Sequence, residues 1–199
     1  MKKILKIFGI FVLILVIGLI AAPFLFKGTI EKLIKKTINN NVSAQVEWRD
    51  LDLTLFSSFP DATVVIKDFS VVNNDPFKGD TLASGERLEL QMGIKQLLKK
   101  ENEQIKVDEL NLEKAYINIK VDSLGNANYD IAKEQPQTTE TPTDTTSSGF
   151  TFDLSHYEIK DSRINYLDES TKTFFKLKDV NHVGNGDLSV SKSTLETQT

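Results

Sequence analysis

The stretch VSAQVEWRDLDLTL, residues 42–55, alternates between apolar and polar side chains. Its first half places apolar residues at even positions up to Trp48, and its second half places leucines at odd positions from Leu51. A period of two is typical of a β-strand with one buried face. A change of phase by one residue is what a β-bulge would produce. The stretch therefore predicts a half-buried strand and a β-rich body.

The same alternation recurs along the chain, in about eight segments that each place two to four apolar residues on one face. Only a short link at residues 94–100 and one basic amphipathic segment could supply helices to cover that face. The predicted fold is mainly β, with an N-terminal transmembrane helix and an amphipathic helix. A curved, mostly antiparallel, repeat-like sheet follows them and forms an open groove. The alternative is a closed β-sandwich.

A weak internal repeat supports the repeat-like sheet. The segment LNLEKAYINIKVD, residues 110–122, resembles YEIKDSRINYLDE, residues 157–169, at an offset of 47 residues. The offset falls within the range of solenoid-like arrays. It aligns three pairs of residues: Leu112 with Ile159, Ile117 with Ile164 and Asn118 with Asn165.

Residues 7–26, IFGIFVLILVIGLIAAPFLF, carry no charge. A helix of this length spans about 30 Å, the thickness of the hydrocarbon core of a bilayer. Lysines before residue 7 give the basic start of a secretory signal, but the apolar stretch is longer than the ~7–15 residues of a cleaved signal peptide. A cleavage site after Ala22 would also be poor, because Pro23 follows it. The sequence predicts an uncleaved transmembrane signal anchor over residues 1–27, with cleavage as the alternative.

Lysines flank this anchor in nearly equal number on both sides, so the positive-inside rule decides little about its orientation. A short N-terminal tail ahead of a long hydrophilic body usually stays in the cytoplasm. The order of the segments therefore predicts a single-pass protein whose body lies outside the cytoplasm.

Residues 29–40, TIEKLIKKTINN, place Ile30, Leu33, Ile34 and Ile38 on one helical face and charged residues on the other. One interpretation is an interfacial amphipathic helix, residues 28–41, with lysines near anionic headgroups. The other is a helix that packs on the core of the body. The predicted membrane-interface residues are Lys27, Lys32, Lys35 and Lys36.

Residues 134–149, EQPQTTETPTDTTSSG, contain no aliphatic or aromatic side chain. Such a segment cannot offset its ordering entropy, so it is predicted to be a disordered linker. It divides the body into a first β-rich groove segment, residues 42–133, and a second β-rich segment, residues 150–199. The pattern ends without a terminal cap, which predicts that the second segment is truncated.

The composition excludes several classes of function. The 199 residues carry a net charge of −4, without the clustered basic face of a nucleic-acid binder. The absence of cysteine excludes disulfides, thiolate metal sites and cysteine nucleophiles. His156 and His182 sit in no metal-ligand spacing, and the loop at Asp122 lacks the glutamate of a calcium site. The sequence predicts no enzymatic activity, no cofactor and no metal.

The apolar strand faces are the candidate functional residues. An open sheet would leave this face available to acyl chains, whereas a sandwich would bury it against itself. Selectivity would then come from the width of the groove and from exclusion of water. The residues predicted to line or support a lipid groove are Val46, Trp48, Leu53, Val64, Ile66, Phe69, Leu88, Leu90, Ile117, Ile119, Phe152, Ile164 and Tyr166.

A set of short segments also carries a family likeness through its order and spacing. The segments are Phe59-Pro60, residues 64–71, FKGDTLA at 77–83, residues 87–90, residues 105–119, GNANYD at 125–130 and LKDVNHVGNGD at 177–187. In this order they resemble the N-terminal region of the AsmA family of bacterial envelope proteins, in its Bacteroidetes form. None of the segments is catalytic.

The resemblance implies an inner-membrane protein with a β-rich body in the periplasm. Family members are similar to bridge-like lipid-transfer proteins and are typically longer than this chain. The implied function is to carry phospholipid acyl chains in the groove, and so to contribute to lipid transport and outer-membrane biogenesis. The expected partners are membrane phospholipids and further envelope proteins, with no nucleic acid. The alternative is a structural or assembly factor that binds outer-membrane proteins through its sheet.

Overall fold

A computed structural model describes residues 2–55, 60–99, 105–133, 150–186 and 195–199. The chain begins with one long helix, α1 (Lys2–Asn41). The predicted linker at 134–149 lies outside the described residues. A short 3-10 helix, Ile94–Leu98, follows the third strand. The eight strands are β1 (Ala44–Thr54), β2 (Asp61–Asn73), β3 (Thr81–Gly93), β4 (Ile105–Glu113), β5 (Tyr116–Val121), β6 (Phe150–Asp168), β7 (Thr173–Gly186) and β8 (Leu195–Gln198).

All eight described strands belong to one mixed sheet, in the order β1-β2-β3-β4-β6-β7-β8, with β5 between β3 and β6. Neighbouring strands are antiparallel, except that β4 and β5 each pair parallel with β6. The prediction of a mainly β body is confirmed. The described strands form a single sheet and not the two packed sheets of a sandwich.

The internal repeat coincides with the parallel pairing. Leu112 lies opposite Ile159 where β4 pairs with β6. Ile117 lies opposite Ile164 where β5 pairs with β6. The two copies of the repeat are therefore direct neighbours in the sheet, and corresponding residues face the same side.

The backbone becomes left-handed at one level of the sheet in several strands. The φ angle is 48° at Asp68 and Lys114, 47° at Asp161 and 53° at Asp179. Such angles are uncommon outside glycine, and aspartate tolerates them better than most residues. Arg49 of β1 and Glu86 of β3 lie at the same level. We call this row the crease, and its members are Arg49, Asp68, Glu86, Lys114, Asp161 and Asp179.

The crease reverses the alternation of side chains, so residues three apart lie on the same face. Trp48 and Leu51 of β1 lie opposite Phe69 and Ile66 of β2, and all four contribute to one core cluster. The register between β1 and β2 is unchanged across the crease. The predicted β-bulge in β1 is therefore wrong, because one residue on each strand, Arg49 and Asp68, lies between the paired positions and neither strand carries an extra residue.

Ion pairs join neighbouring strands at the crease. Arg49 Nη2 lies 2.5 Å from Asp68 Oδ2, and Lys114 Nζ lies 2.7 Å from Glu86 Oε2. These side chains are largely exposed, so each pair contributes little to the free energy of unfolding.

Helix α1 continues without interruption through both segments that were predicted separately, the anchor and the amphipathic helix. Its C-terminal part packs on the sheet through the buried side chains of Ile30 and Ile34. In its N-terminal part, the large apolar side chains that the structure describes between residues 4 and 26 are 39% to 74% exposed. Within the described part of the chain, no helix meets the length and apolarity needed to cross a membrane, so the predicted transmembrane anchor is not found there.

Candidate functional site

An apolar cavity of about 200 Å³ lies between the C-terminal part of α1 and the sheet. Every described lining residue is apolar except Gln96 of the 3-10 helix. The cavity is lined by Ile30, Leu33, Ile34, Ile38, Val46, Trp48, Val64, Ile66, Phe69, Val71, Leu88, Leu90, Met92, Gln96, Leu97, Ile105 and Leu110.

The helix contributes to this lining because its four apolar residues recur at a spacing of three and four, which places them on one face. Among them, Ile30 and Ile34 are buried in the core cluster, and Leu33 and Ile38 pack against it. The interpretation in which this helix packs on the core of the body matches these contacts.

The strands contribute because directly opposed residues of neighbouring strands share a face. One row of the wall pairs Leu53, Val64 and Leu90, and the next pairs Leu51, Ile66 and Leu88. Beyond the crease, Trp48 pairs with Phe69. The ring of Phe69 covers Gly85, where an added Cβ would lie 2.6 Å from the ring atom Cε1. Glycine at this position leaves the space that the ring occupies over β3.

Most residues predicted for the groove lie in this wall. Val46, Trp48, Val64, Ile66, Phe69, Leu88 and Leu90 line the cavity. Leu53 belongs to the adjoining core cluster. The side chain of Phe152 lies outside the described part of the structure. The prediction omitted the helix residues, although their apolar spacing was visible, because nothing in the spacing says which surface they meet.

The remaining predicted residues continue the same face beyond the cavity. The row that starts with Val46 and Val71 passes through Ala83, Ile117 and Ile164 to Leu177. The next row joins Ile119, Tyr166 and Phe175, and the last two rings stack with centroids 4.9 Å apart. We call β1–β4 with α1 the covered half, and β5–β8 the open half.

The apolar side chains on this face are less buried in the open half than in the covered half. Phe175 is 43% exposed and Leu177 is 47% exposed, while Ile117, Ile119 and Ile164 are half-buried. The described members of the core cluster come from the covered half and the 3-10 helix, and Leu154 of β6 is the one member from the open half. An apolar surface therefore extends from the cavity along the sheet.

A comparison with protein families decides which family this arrangement represents. The family model described as the AsmA family matches residues 1–194. The chain belongs to the AsmA family. The family is associated with envelope and lipid-related functions, and it indicates a membrane-associated envelope protein. No curated protein and no solved structure matches this AsmA-family chain.

The lysines predicted for the membrane interface have different surroundings. Lys27 Nζ lies 2.7 Å from Asp50 Oδ1 and 3.3 Å from Asp52 Oδ1, so it joins α1 to β1. Lys32 is exposed. Lys35 Nζ lies 2.8 Å from Glu31 Oε1, and Lys36 also has an interaction within the protein. Their role at a membrane stays a prediction.

The aspartates of β1 are held in their charged form by these contacts. The Lys27 ammonium lowers the pKa of Asp50 through a hydrogen bond. The Lys67 ammonium, whose Nζ lies 2.5 Å from Asp52 Oδ2, lowers the pKa of Asp52, and Lys27 adds to the effect. This charged cluster lies on the polar face of β1, because Asp50 and Asp52 alternate with buried leucines.

The two histidines of this AsmA-family chain bond to neighbouring polar side chains. His156 Nδ1 lies 2.7 Å from Asn185 Oδ1, and His182 Nε2 lies 2.9 Å from the Tyr157 hydroxyl oxygen. The Asp122 carboxylate accepts hydrogen bonds from the backbone N–H groups of Leu124 and Asn126. Within the ranges that the structure describes, no group of three or more His, Asp or Glu side chains could hold a metal ion.

Proposed function

We propose that this protein holds phospholipid acyl chains on its apolar sheet face and so takes part in lipid transport across the bacterial envelope and in outer-membrane biogenesis. The observation that carries the proposal is the apolar cavity under α1 together with the rows of apolar side chains that continue its sheet face into the open half. A strip of this kind offers an acyl chain a path without charged side chains.

The energetics suit transport more than storage. Burying apolar surface stabilises by roughly 25 cal/mol per Å², or about 0.8 kcal/mol for each CH₂ group taken out of water. A chain that moves from a bilayer onto this face exchanges one apolar environment for another, so its net gain is small. A small net gain allows the lipid to leave again.

We place the protein at the inner membrane, as a single-pass protein with its sheet in the periplasm. Support comes from the exposed apolar side chains along the N-terminal part of α1 and from the membership of the AsmA family. Those side chains need an apolar partner, and a bilayer supplies one. Because α1 is continuous, a membrane that holds its N-terminal part would bring the cavity close to the membrane surface.

The test is to purify the full chain in mild detergent and to measure the phospholipid that remains bound, by mass spectrometry. We expect bound phospholipid in the parent protein. Ile119→Asp adds a charge to the apolar face of the open half, and we expect it to reduce the bound lipid to about half or less.

Leu124→Asp is the matched control. Leu124 is 86% exposed in the turn after β5, so the same charge is added away from the apolar face. Its bound lipid should equal that of the parent protein. A parent protein without phospholipid, or an equal loss in both variants, would contradict the proposal.

A second proposed function, binding of envelope proteins by strand addition, has support from the edge of the sheet. Strand β1 stands at one end of the strand order and pairs with β2. An edge strand presents backbone groups that a partner strand can pair with. A photo-crosslinker at Glu47, an exposed position of β1, should then label protein in cells, whereas one at Leu88 in the cavity should label lipid. Labelling of lipid alone at both positions would contradict this second function.

A further inference from the structure

Lys35 places a positive charge against the wall of the apolar cavity. Its ammonium nitrogen lies 5.2 Å from the centroid of the Trp48 ring, within the range of a cation–π contact. Trp48 itself lines the cavity. The Lys35 side chain is 57% exposed, so its charge lies where the apolar lining meets solvent.

Among the residues that the structure describes, no charged one lines the cavity. An acyl chain that enters the cavity would therefore have to leave its polar end outside, at the rim. The ammonium of Lys35 is placed to meet that end. Lysine binds phosphate as a compact point charge, and hydrogen bonds between ionised groups are stronger than those between neutral ones.

In this structure the ammonium of Lys35 forms an ion pair with Glu31, one helical turn earlier, and the distance from Lys35 Nζ to Glu31 Oε1 is 2.8 Å. The side chains of this pair are 57% and 34% exposed, and exposed pairs at this spacing are weak. A phosphate could therefore replace the Glu31 carboxylate. The contacts with Glu31 and Trp48 hold Lys35 at the rim until that exchange takes place.

We propose that Lys35 binds the phosphate of an anionic phospholipid whose acyl chain occupies the cavity, and that it makes the protein prefer anionic over zwitterionic lipids. This inference rests on the proposed function, because it assigns the headgroup contact of the same site. The preference follows from charge: an anionic phospholipid brings a net negative charge to the rim, and a zwitterionic lipid brings none.

The single tryptophan of the chain provides the assay. Because Trp48 lines the cavity, lipids with brominated acyl chains should quench its fluorescence when they bind there. The full chain in mild detergent is titrated with brominated phosphatidylglycerol and, separately, with brominated phosphatidylcholine. We expect half-maximal quenching at a roughly fivefold lower concentration of phosphatidylglycerol, as for one lysine near an anionic headgroup.

Lys35→Gln should remove this preference and leave quenching by phosphatidylcholine unchanged, and Lys35→Arg should restore it. The control is Lys172→Gln, which removes the same charge from an exposed position in the turn between β6 and β7. This control should keep the full preference. Glu31→Gln should strengthen it, because the competing carboxylate is gone.

The outcomes separate this inference from the proposed function. Equal quenching by both lipids, or an equal loss of preference in Lys172→Gln, would overturn the role of Lys35 and leave acyl-chain binding standing. Absence of quenching by either lipid would overturn both.

Discussion

The covered half and the open half of the sheet share one alternating pattern and one apolar face, but different interactions stabilise them. In the covered half the most deeply buried side chains are apolar, such as Leu51 and Val64, each 1% exposed. Among the described side chains of the open half and its loops they are polar, at Asn128, Ser162 and Asp168, with exposed fractions of 1%, 0% and 8%. The two halves differ because α1 packs on the covered half, where its apolar side chains complete the core cluster.

Each buried polar side chain of the open half bonds to the backbone. Ser162 Oγ accepts a hydrogen bond from the Ala115 N–H group at 3.0 Å and donates one to the Lys160 carbonyl at 2.8 Å. Bonded polar groups of this kind fix the positions of strands without a second apolar layer. A sheet held in this way can leave its apolar face available for a ligand.

The largest expected effect comes from placing the same charge on the apolar face of each half and comparing the loss in free energy of unfolding. Val64→Asp buries a carboxylate without a partner, and we expect the free energy of unfolding to fall by more than about 4 kcal/mol. Ile119→Asp, on the half-buried face of the open half, should cost less than about 1 kcal/mol. Urea denaturation of the full chain in detergent, followed by circular dichroism, measures both. Similar losses in the two variants would show that the open half is packed like the covered half.

The second prediction tests the polar contribution alone. Asn128 donates from Nδ2 to the Asn118 carbonyl at 2.7 Å and accepts at Oδ1 from the Lys120 N–H group at 2.9 Å. Asn128→Ala leaves both backbone groups unpaired, and we expect a loss of about 2–3 kcal/mol in the free energy of opening of β5. Hydrogen exchange with mass spectrometry should show faster exchange in residues 116–121.

The control for this prediction is Asn185→Ala, which removes an exposed asparagine bonded to His156. It should change exchange in β5 little. Unchanged protection in Asn128→Ala would mean that packing, and not hydrogen bonding, holds the open half together.

The smallest effect concerns pH. Hydrogen bonds from the Ser170 hydroxyl and the Thr171 N–H group lower the pKa of Asp168 to about 2, from an ordinary value of 3.8. A lowered pKa stabilises the fold at pH above the ordinary value, and this contribution is lost as the pH falls toward 2. We expect the turn between β6 and β7 to lose hydrogen-exchange protection between about pH 4 and pH 2.

In Asp168→Asn the same turn should exchange faster at neutral pH and should lose this dependence on pH. A parent protein and a variant with parallel pH profiles would rule out Asp168 as the origin of the effect. Because the group acts locally, protection of Leu51 and Val64 in the covered half should not follow this titration.

The sequence predicted the strands well because alternation is a local property. It also revealed the offset between Leu112 and Ile159, although not that the repeat copies would pair in parallel, since a periodic pattern carries no information about partners. The left-handed residues of the crease were missed for a similar reason. Asp68 and Lys114 are not glycines, and their backbone is set by neighbouring strands at the same level.

The candidate site shows the same limit. Trp48 and Phe69 were identified as groove residues from their phase alone, and both line the cavity. Lys27 was assigned to the membrane interface from its position after the apolar stretch, yet its ammonium contacts Asp50 and Asp52, two strand residues more than twenty positions away. The sequence gives the position of a lysine along the chain, and only the folded structure shows which carboxylates its ammonium group contacts.

The crease fixes the position along each strand at which the alternation of side chains reverses. Because neighbouring strands reverse at the same level, deleting a single residue from one strand would move its remaining side chains to the opposite face of the sheet from those of its neighbours. Changes of length in this sheet are then tolerated in loops, or as whole copies of the repeat. Each copy carries its own left-handed residue at the same place, Lys114 in one and Asp161, 47 residues later, in the other. Duplication of a whole copy therefore keeps the alternation of each strand aligned with that of its neighbours. The sheet can then lengthen while each face keeps its apolar or polar side chains.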